Sequence, residues 1–150
     1  AAFFQGGYAS ELVSRRKQYD DPTAISFEHR DYQEPLEIAP ESVDLLISQY
    51  AGFVSLHCTR YLRVGGFLVA NNSHGDATLA LCSSEFQLKG VVTRRGERFR
   101  LITMGLEPYT IPKSNRVPRE IPELREHVLK SGRGVAFAKT AADYVFERVE

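Results

Sequence analysis

The chain has 150 residues, of which 43% are hydrophobic and 25% charged, and its formal net charge is zero. This length and composition predict one globular domain spanning residues 1–150 and exclude a low-complexity chain. A net charge of zero gives no overall electrostatic field that would favour binding to nucleic acid or to a membrane surface. The sequence has neither an apolar run long enough to span a bilayer nor a signal-peptide pattern.

The first third of the chain predicts a helix and a strand. Ala1-Ala2-Phe3-Phe4 is apolar and begins abruptly, which predicts that a further segment precedes it in the natural protein. A helix is predicted over Tyr8–Tyr19, because Glu11 stands four residues before Arg15 and a proline follows at position 22. The apolar residues of Ala24–His29 predict a buried strand.

Residues 42–72 have the most regular pattern in the sequence. Val43–Ser48 is a short apolar run, which is typical of a strand buried on both faces of a parallel sheet. Helical spacing predicts a helix over Phe53–Leu62 that ends at Gly65-Gly66, and Phe67–Ala70 predicts a second buried strand. Strand, helix and parallel strand together form a right-handed βαβ unit.

Polar residues follow both strands of this unit. Ser48-Gln49-Tyr50 ends the first strand, and Asn71-Asn72-Ser73-His74 follows the second. In open α/β sheets, ligands bind beyond the carboxyl ends of the strands. The two polar segments are therefore the predicted site.

The remainder of the chain predicts smaller elements. The first is a helical turn from Asp76 to Leu81, followed by strands Phe86–Val92 and Arg98–Thr103, which are joined at Gly96. A loop over Leu106–Pro118 then leads to a helix, Pro122–Ser131, that is ended by Gly132. The closing strands are Val135–Lys139 and Tyr144–Val149. The two cysteines, Cys58 and Cys82, lie in apolar helical contexts, which favours free thiols and a cytoplasmic location. No set of cysteines and histidines has metal-ligand spacing.

Charge is unevenly distributed along the chain. Residues 20–44 hold eight acids and one base, whereas residues 89–119 hold eight bases and two acids. One interpretation is two solvated faces that attract each other. The other is that the basic hairpin Lys89–Arg100, with Phe86 and Phe99, contacts an anionic partner such as nucleic acid, although zero net charge argues against a nucleic-acid module.

The pattern SVDLLISQYAG…YLRVGGFLVANN resembles the second half of the class I S-adenosylmethionine-dependent methyltransferases. In that family an acid opens the fourth strand, a helix follows, and a leucine–basic–x–Gly–Gly turn leads into the fifth strand. Residues 25–31 resemble the family's third strand with its terminal acid. The family's glycine-rich D-x-G-x-G-x-G loop does not occur in this sequence. The resemblance implies a three-layer, Rossmann-like α/β sheet, mostly parallel with an antiparallel carboxyl-terminal part, and incomplete at the amino end.

The resemblance also implies roles for particular residues. Asp31 and Tyr32 would bind the adenosine end of S-adenosylmethionine, with Ser48 and Gln49 at the cofactor as well. The predicted catalytic residues are Tyr50, which would lie beside the sulfonium, and His74, which would act as a base. For Asp31 the alternative role is a loop cap, and for Gln49 and Tyr50 it is a plain strand-to-helix turn.

Three functions are consistent with these observations. The first is methyl transfer from S-adenosylmethionine to an unidentified acceptor. The second is a non-catalytic methyltransferase-like module that binds a partner or forms a homo-oligomer through an exposed sheet edge. The third is a nucleotide-binding α/β domain of another family.

Overall fold

The computed structural model describes residues 7–150, which form two compact units, residues 7–34 and residues 35–150. The first unit contains helix α1, Tyr8–Arg16. This helix confirms the predicted one, and the Glu11–Arg15 ion pair along it spans 2.5 Å. Two features of the sequence lie outside the described residues. They are the apolar run at its start and the first glycine of the pair at positions 6 and 7.

The strand predicted at Ala24–His29 is wrong, because these residues have no regular secondary structure and are exposed. A strand requires a hydrogen-bonded neighbour. The sheet in the described part of the chain is built from residues 43–148 and does not include them. Asp31 therefore does not lie at the tip of a strand.

The second unit is built on a five-stranded sheet in the order β1-β2-β5-β3-β4. Its strands are β1 (Val43–Ser48), β2 (Leu62–Ala70), β3 (Phe86–Arg95), β4 (Arg98–Ile102) and β5 (Asp143–Arg148). Strand β1 pairs with β2 in parallel, and the other three pairings within residues 7–150 are antiparallel. The predicted α/β fold is confirmed, and the sheet is an open, mixed one.

The predicted parallel pair is present, but the glycine pair has a different role. Helix α2, Val54–Cys58, and a 3-10 turn, Thr59–Tyr61, connect β1 to β2. Gly65 and Gly66 lie inside β2 and do not end the helix, so that prediction is wrong. Gly65 has φ of +78°, and a Cβ on Gly66 would lie 2.9 Å from the Arg63 carbonyl oxygen. The glycines thus accommodate an irregularity in β2 that shifts its register against β1.

The carboxyl-terminal elements follow the predictions closely, with one exception. Helix α3, Asp76–Leu81, the β3–β4 hairpin with Gly96 at φ +62°, and helix α4, Ile121–Ser131, are all present. Gly132 ends α4 in the left-handed conformation. Val135–Lys139 is not a strand, since in this segment a single bridge pairs Phe137 with Pro112.

The core lies on one face of the sheet. Leu68 and Ala70 of β2 and Tyr144 and Phe146 of β5 are fully buried there, together with residues of α3 and α4. On the opposite face, apolar residues of β1 are exposed, with Ile47 at 60%, so the prediction of a strand buried on both faces is wrong. Strand β1 is also an edge of the sheet. Within residues 7–150, no helix has the length and apolar character needed to cross a membrane.

Candidate functional site

The two predicted polar segments lie side by side. Strands β1 and β2 are parallel neighbours, and the last pair in their register joins Ser48 to Ala70. The next residue, Asn71, donates its backbone N–H to the Ser48 carbonyl oxygen at 3.1 Å. The carboxyl ends of both strands therefore open at the same edge of the sheet, where such folds bind ligands.

Side-chain amides join the two segments. The Asn71 Nδ2 donates to Gln49 Oε1 at 3.1 Å, and the Gln49 Nε2 donates to Asp143 Oδ1 at 2.7 Å. Asn71 Oδ1 accepts from the backbone N–H and the hydroxyl of Ser73. This chain of hydrogen bonds ties β1, β2 and β5 together at one end and fixes the backbone beside Tyr50.

Asn72 anchors a second segment to the same edge. Its Oδ1 accepts from the N–H and hydroxyl of Thr78, and its Nδ2 donates to the Val135 carbonyl oxygen at 2.9 Å. A Cβ on the neighbouring Gly134 would lie only 1.6 Å from the Asn72 carbonyl oxygen. Only glycine permits this approach, so Gly134 holds residues 134–139 against the end of β2.

Asp76 is a buried link between three elements. It is 2% exposed, and its carboxylate accepts from the hydroxyl of Ser48, at the end of β1, and from the backbone N–H of Ser55, in the first turn of α2. Burial raises the pKa of Asp76, although hydrogen bonds from Ser48, Ser55 and Val54 act in the opposite direction. This carboxylate faces protein groups, so its role is to join β1, α2 and α3.

A pocket of about 470 Å³ lies at this edge. It is lined by Tyr50, residues 71–73, Lys113, residues 134–142 and Tyr144. Its volume is within the range of small-molecule sites, about 300–1,000 Å³. The polar ends of β1 and β2 thus form one side of a cavity, and residues 134–142 form the other.

Tyr50 has an unusual backbone at the pocket. Its φ is +56°, a left-handed conformation that a non-glycine residue adopts at a cost of about 1–2 kcal/mol. Its side chain is 75% exposed, so burial of the ring does not offset that cost. Such strain is concentrated at functional sites.

Aromatic side chains stabilise the inner wall. The ring centroids of Phe137 and Tyr144 are 5.9 Å apart in an edge-to-face arrangement, and the Tyr144 hydroxyl donates to the Tyr109 carbonyl oxygen at 3.1 Å. Burial, with a smaller contribution from Tyr109, raises the pKa of Tyr144. The Tyr144 hydroxyl therefore stays protonated and acts as a donor.

The charged residues in the pocket lining are both cations. Lys113 follows the bridge between Pro112 and Phe137, and its backbone N–H donates to the Ala136 carbonyl oxygen at 2.9 Å. The Lys139 Nζ lies 5.8 Å from the centroid of the Tyr109 ring. The described lining contains no aspartate or glutamate.

The other predicted site residues near this edge have varied surroundings. Ser48 is 2% exposed, and its hydroxyl is bonded to Asp76. Gln49 is exposed but bonded through both ends of its amide. His74 is exposed in the loop between β2 and α3 and does not line the pocket. Of the residues predicted to bind the cofactor or to act in catalysis, Tyr50 alone lines the described pocket, together with residues 71–73 of the second predicted polar segment.

Asp31 and Tyr32 belong to the first compact unit. Asp31 is exposed, and its Oδ1 accepts the backbone N–H of Gln33 at 3.0 Å, while its carbonyl oxygen accepts from Glu34 at 3.0 Å. These are the bonds of a loop-capping aspartate, which was the alternative role predicted for it. Tyr32 is half-buried.

Several pocket residues were not predicted from the sequence. Lys113 and Lys139 lie far apart in the chain and have no motif around them. The sequence does contain a signal for Gly134. In Gly132-Arg133-Gly134 the first glycine ends the helix, and no turn requires the second one, which points to a close backbone approach. Within residues 7–150, no cluster of three or more metal-binding side chains occurs.

Comparison with protein-family models, curated proteins and solved structures gives no match to this chain.

Proposed function

We propose that this chain forms the acceptor-side part of an S-adenosylmethionine-dependent methyltransferase. The main support is the convergence of the β1 and β2 carboxyl ends on a pocket of about 470 Å³ with Tyr50 at its edge. The strand directions also support it, since β1, β2 and β3 run one way and β5 runs against them between β2 and β3. An antiparallel strand at the carboxyl end is one feature that the resemblance implies, whereas three of the four pairings in the described sheet are antiparallel and the implied sheet is mostly parallel.

Some of the predicted cofactor residues fit S-adenosylmethionine, and others are occupied. The exposed Tyr50 ring offers a π face to a sulfonium. The Ser48 hydroxyl is bonded to Asp76 and is not free for a ligand. The Gln49 Oε1 accepts one hydrogen bond and keeps a second acceptor site. The cofactor end of the site is therefore assigned to Tyr50 and Gln49.

The reaction requires positioning more than proton transfer. S-adenosylmethionine supplies an electrophilic methyl group, and an in-line displacement needs a desolvated acceptor held at the correct angle. The hydrogen bonds of Asn71 and Asn72 keep the two strand ends in a fixed arrangement. The wall formed by Phe137 and Tyr144 excludes water from the inner side of the pocket.

Calorimetric titration of the chain with S-adenosylmethionine tests this proposal. We expect binding in the micromolar range, about −8 kcal/mol. Tyr50→Ala should weaken binding about tenfold, whereas Tyr19→Ala, which removes another exposed tyrosine, should not change it. Absence of heat at millimolar ligand would refute the proposal.

A specific observation favours the non-catalytic module as a second candidate. Strand β1 is an unpaired edge in the described sheet, and it carries exposed Leu45 and Ile47. Such an edge readily pairs with another chain. If this is the function, the chain will sediment as a concentration-dependent dimer that Ile47→Lys dissociates, and it will not bind S-adenosylmethionine.

A further inference from the structure

The pocket lining contains an unbalanced positive charge. Lys113 and Lys139 both line it, and no acidic side chain does so among the described residues. Neither lysine forms an ion pair within residues 7–150, in contrast to Lys130 and Lys89, which pair with Glu126 and Glu147. Two lysines without a carboxylate partner in the lining of one cavity, of which Lys139 contacts the Tyr109 ring, favour an anionic ligand.

This charge does not suit the sulfonium of the cofactor. The reactive centre of S-adenosylmethionine is a sulfonium, and nearby ammonium groups would repel it. Tyr50 offers an aromatic face instead, and it belongs to the β1 end of the pocket. The lysines belong to segments 108–113 and 134–139, which pair through the Pro112–Phe137 bridge. Because the lysines and Tyr50 belong to different segments, the charge is available to an anionic group on the molecule that receives the methyl group.

The pocket walls near the lysines suit a small, flat ligand. Ala136 and Ala138 are exposed, and Ala141 and Ala142 are half-buried, so small side chains surround the cations. The backbone there is constrained, since Ala138 N–H donates to the Ile111 carbonyl oxygen at 2.9 Å and Lys139 N–H to that of Pro108 at 2.8 Å. A rigid wall of small apolar groups with cations at its edge matches an organic anion.

We propose that the methyl acceptor is a small organic anion, whose carboxylate or phosphate is held by Lys113 and Lys139 and whose body lies on the alanine-rich wall. The assignment of this ligand as acceptor rests on the proposed methyltransferase function. Recognition of the anion rests on the pocket alone. The two statements can therefore fail separately.

Titration of the ¹⁵N-labelled chain with benzoate, phenyl phosphate and the neutral isostere benzamide tests anion recognition. Amide signals of residues 71–73 and 134–142 should shift with both anions, and benzamide should bind at least fivefold more weakly. Added salt should reduce this preference, because the attraction is electrostatic. A difference between benzoate and phenyl phosphate identifies the preferred anionic group.

The double variant K113Q/K139Q should lose the preference for the anions, and Lys130→Gln, a helix lysine outside the pocket, should keep it. Far-ultraviolet circular dichroism checks that the double variant is folded. Equal binding of benzoate and benzamide, shifts confined to other residues, or an unchanged preference in the double variant would each overturn anion recognition. The titrations contain no S-adenosylmethionine, so failure of cofactor binding leaves their result intact.

Discussion

Asp76 offers the sharpest test of the structure, because its carboxylate is buried and bonded to two separate elements. It accepts from the hydroxyl of Ser48 in β1 and from the backbone N–H of Ser55 in α2 at 2.9 Å. Asp76→Ala leaves both donors buried without acceptors. Each unsatisfied buried group costs about 1–3 kcal/mol, and relief of the buried charge offsets part of that cost.

We therefore expect Asp76→Ala to lower the free energy of unfolding by about 2–4 kcal/mol. For a chain of this length, the melting temperature should fall on the order of 10 °C. Asp76→Asn should stay within about 1 kcal/mol of the parent. The asparagine keeps an acceptor for the Ser55 N–H, and its amide can donate to the Ser48 oxygen.

The pH dependence gives a second, independent measure. Because burial raises the pKa of Asp76, the folded chain binds this proton at higher pH than the unfolded chain does. The contribution of Asp76 to stability is therefore most favourable below the unfolded pKa, about 4. It declines as the pH rises from there through the folded pKa, and above that value the full cost of the buried charge is present.

Urea unfolding of the parent and Asp76→Asn at a series of pH values between about 3.5 and 7.5 measures this difference. The other carboxylates contribute equally to both proteins and cancel. We expect the stability of Asp76→Asn relative to the parent to increase with pH. A difference that stays constant with pH, or an Asp76→Ala variant as stable as the parent, would refute the reasoning.

Three further substitutions test the geometry of the pocket and the sheet. Gly134→Ala should lower the free energy of unfolding, measured in urea, by more than about 3 kcal/mol, because its Cβ would meet the Asn72 carbonyl oxygen at 1.6 Å. The control Gly105→Ala, which has φ of +65° and open space around it, should lower it by about 1 kcal/mol. Tyr50→Gly should raise the melting temperature slightly, since relief of about 1–2 kcal/mol of strain exceeds the entropic cost of glycine, while calorimetry should show S-adenosylmethionine binding about tenfold weaker, as for Tyr50→Ala. Arg148→Met should lower the free energy of unfolding by about 1.5–3 kcal/mol. The arginine side chain is 11% exposed, donates to the Leu62 carbonyl oxygen and pairs with Glu41 at 3.3 Å, so equal stability of variant and parent would contradict this.

The elements that the sequence predicts well are those fixed by local chemistry. The run Val43–Ser48 has the composition of a strand and forms one, although not a strand buried on both faces, and Gly96 and Gly132 occupy positions where a turn and a helix end require positive φ. Tyr50 was predicted as a site residue because it follows a strand, and the structure finds it at the pocket. Local patterns thus determine the position of the sheet edge along the chain.

The elements predicted wrongly depend on partners that are distant in sequence. Ala24–His29 has the composition of a strand but does not pair with the described sheet. Gly65 and Gly66 follow a helix, yet they lie in β2, where their missing side chains allow the register shift against β1. Lys113 and Lys139 meet at one pocket only because Pro112 pairs with Phe137. Such pairings are set by tertiary contacts, which a single sequence does not display.

The strain at Tyr50 and the buried carboxylate of Asp76 both occur at the end of β1, because Tyr50 follows that strand and Asp76 is bonded to its last residue, Ser48. Each carries a local cost, since the backbone of Tyr50 is strained and the Asp76 carboxylate is desolvated, and in Asp76 hydrogen bonds to two elements offset that cost. Ser48 connects them, because it ends β1 and donates its hydroxyl to Asp76. Gln49 accepts from Asn71, which follows β2, and donates to Asp143 of β5, so the residue before Tyr50 is held at both ends of its amide. A strand end held by hydrogen bonds, with a strained residue whose aromatic ring is exposed at a pocket, is the arrangement expected of a pre-organised binding site.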